Sequence, residues 1–274
     1  TLAVTGDRSG TINTPSNAFS LSGIETLDGG AGENTFRLDN AVSNTNLTIA
    51  GGSNLQQSNN RIITNFTDTT WQLDNINQGS IQQNGAILSS FRDIQHLENA
   101  SALAGEQRVE FIAANSQITG SLDSGTSNLS LIGNDINIGH LANGNDNRNA
   151  TISGSGTLTI KPADNFLGIE LGGGDTQALD KVSITDGELA AIQDGFVSIL
   201  IGGTEQTGEI TLAGDAEFNS EVTLQSQGNI DITSGELRGV TTDANIIITT
   251  DGSILGERVT TLGSDITLNA QREI

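Results

Sequence analysis

Short phrases of alternating apolar and polar residues recur along the chain, most regularly in its last third. Glu209-Ile210-Thr211-Leu212-Ala213-Gly214 is followed by Glu221-Val222-Thr223-Leu224-Gln225 and Asn229-Ile230-Asp231-Ile232-Thr233. Asn245-Ile246-Ile247-Ile248-Thr249-Thr250 and Asp265-Ile266-Thr267-Leu268-Asn269-Ala270 continue the series. An apolar residue at every second position lines one face of a strand. Gly, Asn or Asp closes most phrases and supplies the backbone freedom that a corner needs. Ile210, Ile230, Ile246 and Ile266 follow one another at about twenty, sixteen and twenty residues, an interval that signals a repeat architecture.

Upstream the phrases are less even. Phe19 through Leu38 contains Phe, then Ile24-Glu25-Thr26-Leu27, then a strand with Phe36. About seventy residues later Phe91, Ile94-Gln95-His96-Leu97 and Val109-Glu110-Phe111 echo it. Strands are predicted at 46–49, 61–66, 70–73, 117–122, 128–133, 135–139, 149–154 and 156–160. One helix is predicted over 184–193, where Thr185 and Glu188 have capping-box spacing and Gly195 can end it. Residues 93–98 read as a second helical turn. More than a dozen short strands joined by short turns, with no long crossover helix, predict an all-β parallel β-helix, or β-solenoid. At roughly 20–25 residues per coil the chain makes about 11–13 coils, rising by ~4.8 Å each. We expect one β-helix domain over 1–274, with looser repeats in 1–113 and regular ones in 114–274.

Composition sharpens this picture. Hydrophobic residues make up 34% and aromatics 3%, with eight Phe, one Trp and no Tyr. That suits a thin core of stacked Ile, Leu and Val better than the aromatic-rich core of a β-sandwich. The net charge of −22 repels phosphate backbones and excludes nucleic-acid binding. There is no Cys, so disulfide and thiolate chemistry are excluded. No stretch has the length and apolarity of a membrane span. The absence of Met, position 1 included, is expected of a fragment or processed product. Flanking repeats are then expected to continue in the parent chain, with any secretion signal upstream.

Candidate chemistry is sparse. Gly29-Gly30-Ala31-Gly32-Glu33-Asn34-Thr35-Phe36 matches one calcium-binding Gly-rich repeat, with Asn34 at its Asp position. A single copy lacks half the ligands, so a Gly-rich turn is the better reading, and Glu33 and Asn34 are the calcium candidates. His96 and His140 have no zinc-ligand spacing and read as solvent-facing. No Gly-x-Ser-x-Gly elbow appears, and neither catalytic nor cofactor-binding residues are assigned. The Asn/Asp/Gly-rich stretch 134–149 reads as a protruding loop. The ligand-contact candidates are Asn134, Asp135, Asn145 and Asp146 from that loop, with Trp71 as a further anchor.

Ile184-Thr185-Asp186-Gly187-Glu188-Leu189-Ala190-Ala191-Ile192, Ser198-Ile199-Leu200-Ile201-Gly202 and Gly208-Glu209-Ile210-Thr211-Leu212-Ala213-Gly214 together resemble filamentous haemagglutinin-like bacterial adhesins. The resemblance covers 166–274. It is looser over 19–112, on Gly23-Ile24-Glu25-Thr26-Leu27-Asp28-Gly29-Gly30. It implies a right-handed β-helical shaft, secretion to the bacterial cell surface through an outer-membrane partner, and contact with a host or matrix surface, carbohydrate included. The Asn-Pro-Asn-Gly type of secretion-domain motif is absent, so the chain reads as shaft. The alternative is a carbohydrate-active β-helix, a lyase or glycoside hydrolase, with Asp123, Asp135 and Asp146 as its carboxylates.

Overall fold

The computed structural model describes residues 2–6, 9–13, 18–38, 47–52, 60–83, 86–103, 105–113, 116–139, 150–174 and 180–273. Among these the chain forms 28 strands and one short helix. It opens with β1 (Leu2–Gly6), β2 (Ser9–Asn13), β3 (Ala18–Ser22), β4 (Thr26–Asp28), β5 (Thr35–Leu38), β6 (Leu47–Ala50) and β7 (Arg61–Thr64). Then come β8 (Thr69–Asn75), β9 (Gln78–Gln83), β10 (Ala86–Arg92), β11 (His96–Asn99), β12 (Glu106–Phe111), β13 (Leu122–Asp123) and β14 (Asn128–Gly133). The middle holds β15 (Ile152–Ser153), β16 (Thr157–Lys161), β17 (Gly168–Leu171), β18 (Lys181–Ile184) and the helix α1 (Asp186–Ala191). The last third holds β19 (Ser198–Gly202), β20 (Ile210–Leu212), β21 (Ala216–Phe218), β22 (Glu221–Ser226) and β23 (Ile230–Ile232). It closes with β24 (Leu237–Gly239), β25 (Ile246–Thr250), β26 (Ile254–Gly256), β27 (Val259–Thr261) and β28 (Ile266–Ala270).

Four sheets collect these strands, in the orders β15-β13-β11-β7-β5-β1-β2-β3, β28-β25-β22-β19-β16-β14-β12-β8-β9-β10-β6-β4, β18-β17-β20-β23-β26 and β21-β24-β27. From β11 to β16 the chain alternates between the first sheet and the long second one. From β19 onward it visits the second, third and fourth sheets in turn and returns one strand further along. Side-chain bonds between successive circuits join residues 20 to 24 positions apart. The chain is thus almost all β, with long runs of parallel strands.

Parallel register puts like on like. In the long sheet Ile199, Val222, Ile246 and Ile266 stand in one row, and Ile201, Leu224, Ile248 and Leu268 in another. In the third sheet the row is Ile169, Ile210, Ile230 and Ile254. The even intervals of the sequence therefore belong to two rows. The sixteen-residue step from Ile230 to Ile246 is a change of sheet, because these residues pair with Ile254 and Ile266 respectively.

Polar ladders flank the apolar rows. Asn34, Asn60 and Gln95 directly precede β5, β7 and β11. Asn60, 0% exposed, accepts from the Asn34 N–H (3.0 Å) through Oδ1 and donates from Nδ2 to the Asp93 carbonyl (3.0 Å). Its own N–H donates to Gln95 Oε1 (3.0 Å). At other corners an Asn or Asp oxygen accepts a backbone N–H from the next circuit. Asp68 does so for Glu106, Asn128 for Thr157, Asp215 for Glu236, Asn229 for Ser253 and Asn245 for Asp265. These bonds satisfy backbone donors that the strands leave free at each corner.

Three expectations are corrected. Strands β1–β2–β3 and β8–β9–β10 pair antiparallel, as hairpins within otherwise parallel sheets. The signal missed is Asn84-Gly85 between β9 and β10, the dipeptide most favoured in two-residue hairpins. Residues 93–98 form no helical turn. Asp93 takes φ +58° and His96–Asn99 is strand, held between β7 and β13. The helix is shorter than 184–193. It ends at Ala191 because Ile192 pairs in parallel with Ile152.

The rows make a direct prediction. Leu224 is fully buried and its neighbour Thr223 is not. Leu224→Ala is expected to cost about 3 kcal/mol, and Thr223→Ala less than about 1 kcal/mol. Denaturant unfolding of both variants measures the difference; equal costs would mean that the row does not carry the stability.

Candidate functional site

The strand pattern breaks most visibly at α1. Thr185 caps the helix: its hydroxyl accepts from the Glu188 N–H (3.3 Å), while Glu188 Oε2 accepts from the Thr185 N–H (2.9 Å). The spacing of Thr185 and Glu188 foretold this box. It did not foretell that Glu188 is buried, 6% exposed, and reaches across to accept the Ile138 N–H at 3.2 Å. Burial raises the Glu188 pKa to about 7, against the pull of its hydrogen bonds, and the negative charge of Asp135 adds to the rise. A carboxylate here is costly to ionise yet is the acceptor that holds α1 to the 138 segment.

On its other side α1 packs beside β21. A groove of about 500 Å³ lies there, lined by Asp186, Leu189, Ala190, Ile192, Asp215, Glu217, Asn219 and Val240. Four apolar side chains and three carboxyl groups are among its lining. Asp215, Glu217 and Asn219 alternate with buried Ala216 and Phe218 along and beside β21, a polar row legible in the sequence. That α1 would lie against that row was not legible, because the two are joined only by tertiary packing. Arg238 bonds Asp215 (3.0 Å), Glu217 (2.6 Å) and Glu236 (2.9 Å), and Arg258 also reaches Glu236 (3.0 Å). A hydrogen bond from the Thr260 hydroxyl, with the two arginines behind it, holds the Glu236 carboxyl below its usual range.

The candidates from sequence do not converge. Trp71 is 3% exposed and stacks edge-to-face on Phe91, with ring centroids 6.2 Å apart, so it is a core residue rather than a ligand anchor. Asn134 Oδ1 accepts the Asp164 N–H (3.0 Å), a corner bond of the kind described above. Asp135 acts on Glu188 through its charge. Asn145, Asp146 and His140 fall outside the described residues. Asp123 closes its own turn by accepting the Gly125 N–H (2.9 Å). His96 is half-buried rather than solvent-facing, and its Nδ1 accepts the Ser121 N–H (3.1 Å). Burial first, then the Arg61 charge, lowers its pKa.

At the Gly-rich turn the Asn34 side chain is a donor. Its Nδ2 bonds the Gly32 and Gly51 carbonyls and Asn60 Oδ1, at 3.0, 2.9 and 3.1 Å. An aspartate would present oxygens where the ladder needs N–H groups, which explains the amide at the Asp position of the repeat. Among the described residues no three His, Asp or Glu side chains converge to hold a metal ion.

Comparison with family models, with curated proteins and with solved structures finds no match to this chain.

Two outcomes test this local chemistry. A carboxyl with a raised pKa in the fold binds a proton between about pH 4.5 and 7 that the unfolded chain releases, so stability gains as pH falls through that window. The increment is on the order of 3 kcal/mol. Glu188→Gln keeps an acceptor for Ile138 and is expected to lose this increment, seen as a flatter dependence of Tm on pH; parallel Tm curves would refute it. Asn34→Asp is expected to lower stability by about 1–3 kcal/mol, with calcium giving no recovery. A Tm raised by calcium in that variant would restore the metal reading.

Proposed function

We propose that this chain is a structural and adhesive shaft segment of a large secreted bacterial surface protein, folded as a right-handed parallel β-helix. The observation that carries this reading is the stack of like residues from β19 to β28, flanked by polar side chains bonded from one circuit to the next. Such an interior, built of buried Ile, Leu and Val side chains, gives length and stiffness. The resemblance of residues 166–274 to filamentous haemagglutinin-like adhesins points the same way. In this reading the chain holds distal modules away from the cell or touches a host or matrix surface itself. An acidic exterior suits the extracellular medium, where cations screen it.

The carbohydrate-active alternative finds its best support in Asp186, Asp215 and Glu217, which line the groove. Glycoside cleavage by paired carboxyls needs one kept protonated beside one ionised. Asp215 and Glu217 are both engaged by Arg238. Glu188, the carboxyl that burial raises, bonds Ile138 and Thr185 and does not line the groove.

Immobilised protein is expected to retain host cells or matrix components without degrading them. Release of oligosaccharides from a panel of acidic and neutral polysaccharides, lost on Asp215→Asn or Glu217→Gln, would overturn the shaft reading in favour of the enzyme.

A further inference from the structure

Phe36, Phe66, Phe91, Phe111, Phe196 and Phe218 are core residues, none more than 4% exposed. Phe166 is 81% exposed, the most exposed large apolar side chain among the described residues. It stands in the corner between β16 and β17, where the chain passes from the second sheet to the third. There the ring forgoes the stabilisation that burial gives the other six.

The corner that carries it is well tied down. Buried Pro162 leads in, the Phe166 N–H donates to Asp164 Oδ1 (3.0 Å), and the Leu167 N–H donates to the Asp164 carbonyl (3.1 Å). The Asn165 carbonyl accepts from the Thr207 N–H (2.8 Å), the Thr207 hydroxyl (3.0 Å) and the Gly208 N–H (3.1 Å) of the next circuit. From the circuit before, Asn134 Oδ1 accepts the Asp164 N–H. These bonds leave polar capacity unused. Asn134 Nδ2, Asp164 Oδ2 and the side-chain amide of Asn165 have no partner among the described residues. Ile112, 57% exposed, lies beside Asn134, since the two follow the register partners Phe111 and Gly133. A fixed aromatic face, a second apolar side chain and three planar polar groups thus share one exposed corner.

That combination matches the chemistry of a sugar. One face of a pyranose ring is made of C–H groups, slightly positive, which rest well on the negative face of an aromatic ring. Its hydroxyls each donate and accept, and adjacent ones match the oxygens and N–H groups of carboxylates and amides. We propose that this corner binds neutral glycans, with a sugar ring stacked on Phe166 and its hydroxyls bonded by Asn134, Asp164 and Asn165. The Asp164 charge, in a chain of net charge −22, repels uronic and sulfated sugars. An apolar peptide side chain laid on Phe166 would leave the polar groups around it unpaired. A platform already held in place loses little freedom on binding. Such a site needs only this corner and stands whether or not the chain is a shaft.

Affinity electrophoresis of the 274-residue chain through gels containing a neutral glucan, mannan or galactan tests this, with a polyuronate as the acidic control. Retardation by at least one neutral polysaccharide is expected, and none by the polyuronate. Phe166→Ala is expected to weaken binding about tenfold and Asn165→Ala to weaken it as well. Both side chains lie outside the core, so the circular dichroism spectrum is expected to stay unchanged. Phe166→Trp keeps an aromatic face and is expected to bind as the native chain does, whereas Phe166→Leu, apolar but without a ring, is expected to bind as weakly as Phe166→Ala. Retardation by no neutral polysaccharide, retardation indifferent to Phe166→Ala, or native binding by Phe166→Leu would overturn the proposal. Oligosaccharide release from a glycan that this corner retains would count against the shaft reading alone and leave the site supported.

Discussion

In-register parallel pairing is the constraint on which this structure rests. Once Ile246 must lie beside Ile266, and Val222 beside Ile246, every residue is fixed to a row. A row tolerates only what its neighbours in the adjacent strands tolerate. Apolar rows exclude water, so a charge placed in one would be buried without a partner. Corner positions carry the opposite demand: the backbone turns there and its polar groups lose their strand partners. The chain meets that demand with side chains that stack as regularly as the isoleucines do.

The choice of corner residues follows from hydrogen-bond chemistry. Where a corner offers only backbone N–H groups, an Asp or Asn oxygen suffices, as at Asp68, Asp215, Asn229 and Asn245. Where it offers carbonyls as well, an amide is needed, as at Asn34 and Asn60. Hydroxyls close the corner between the second and third sheets. Ser226 donates to the Gly208 carbonyl (2.7 Å) and Thr250 to the Gly228 carbonyl. A chain rich in Asn, Ser, Thr and Gly is therefore not under-provided with core. It has a narrow core and a long polar seam.

The helix is the exception, and the chemistry gathers around it. The fourth sheet meets a helix at its first strand, β21, rather than another strand. Helix and strand do not share hydrogen-bonding edges, so a groove opens between them. The same substitution buries Glu188, because its capping role turns its carboxyl inward toward the 138 segment.

Much of this was legible in the sequence, because period-two alternation and the chemistry of Gly, Asn and Asp are local. Alternation marked the strands of the last third, Thr185 and Glu188 marked the start of α1, and the recurring isoleucines marked the stack. The chain alone could not say which isoleucines share a row, since equal spacing in sequence does not distinguish one sheet from its neighbour. Nor could it say that Trp71 turns into the core, that Asn34 serves as a donor, or that Asp215 and Glu217 lie beside Asp186. Local pattern determined the strands and corners. Tertiary register alone decided which of them touch, because contacts between successive circuits join residues some twenty positions apart, where no local propensity reaches.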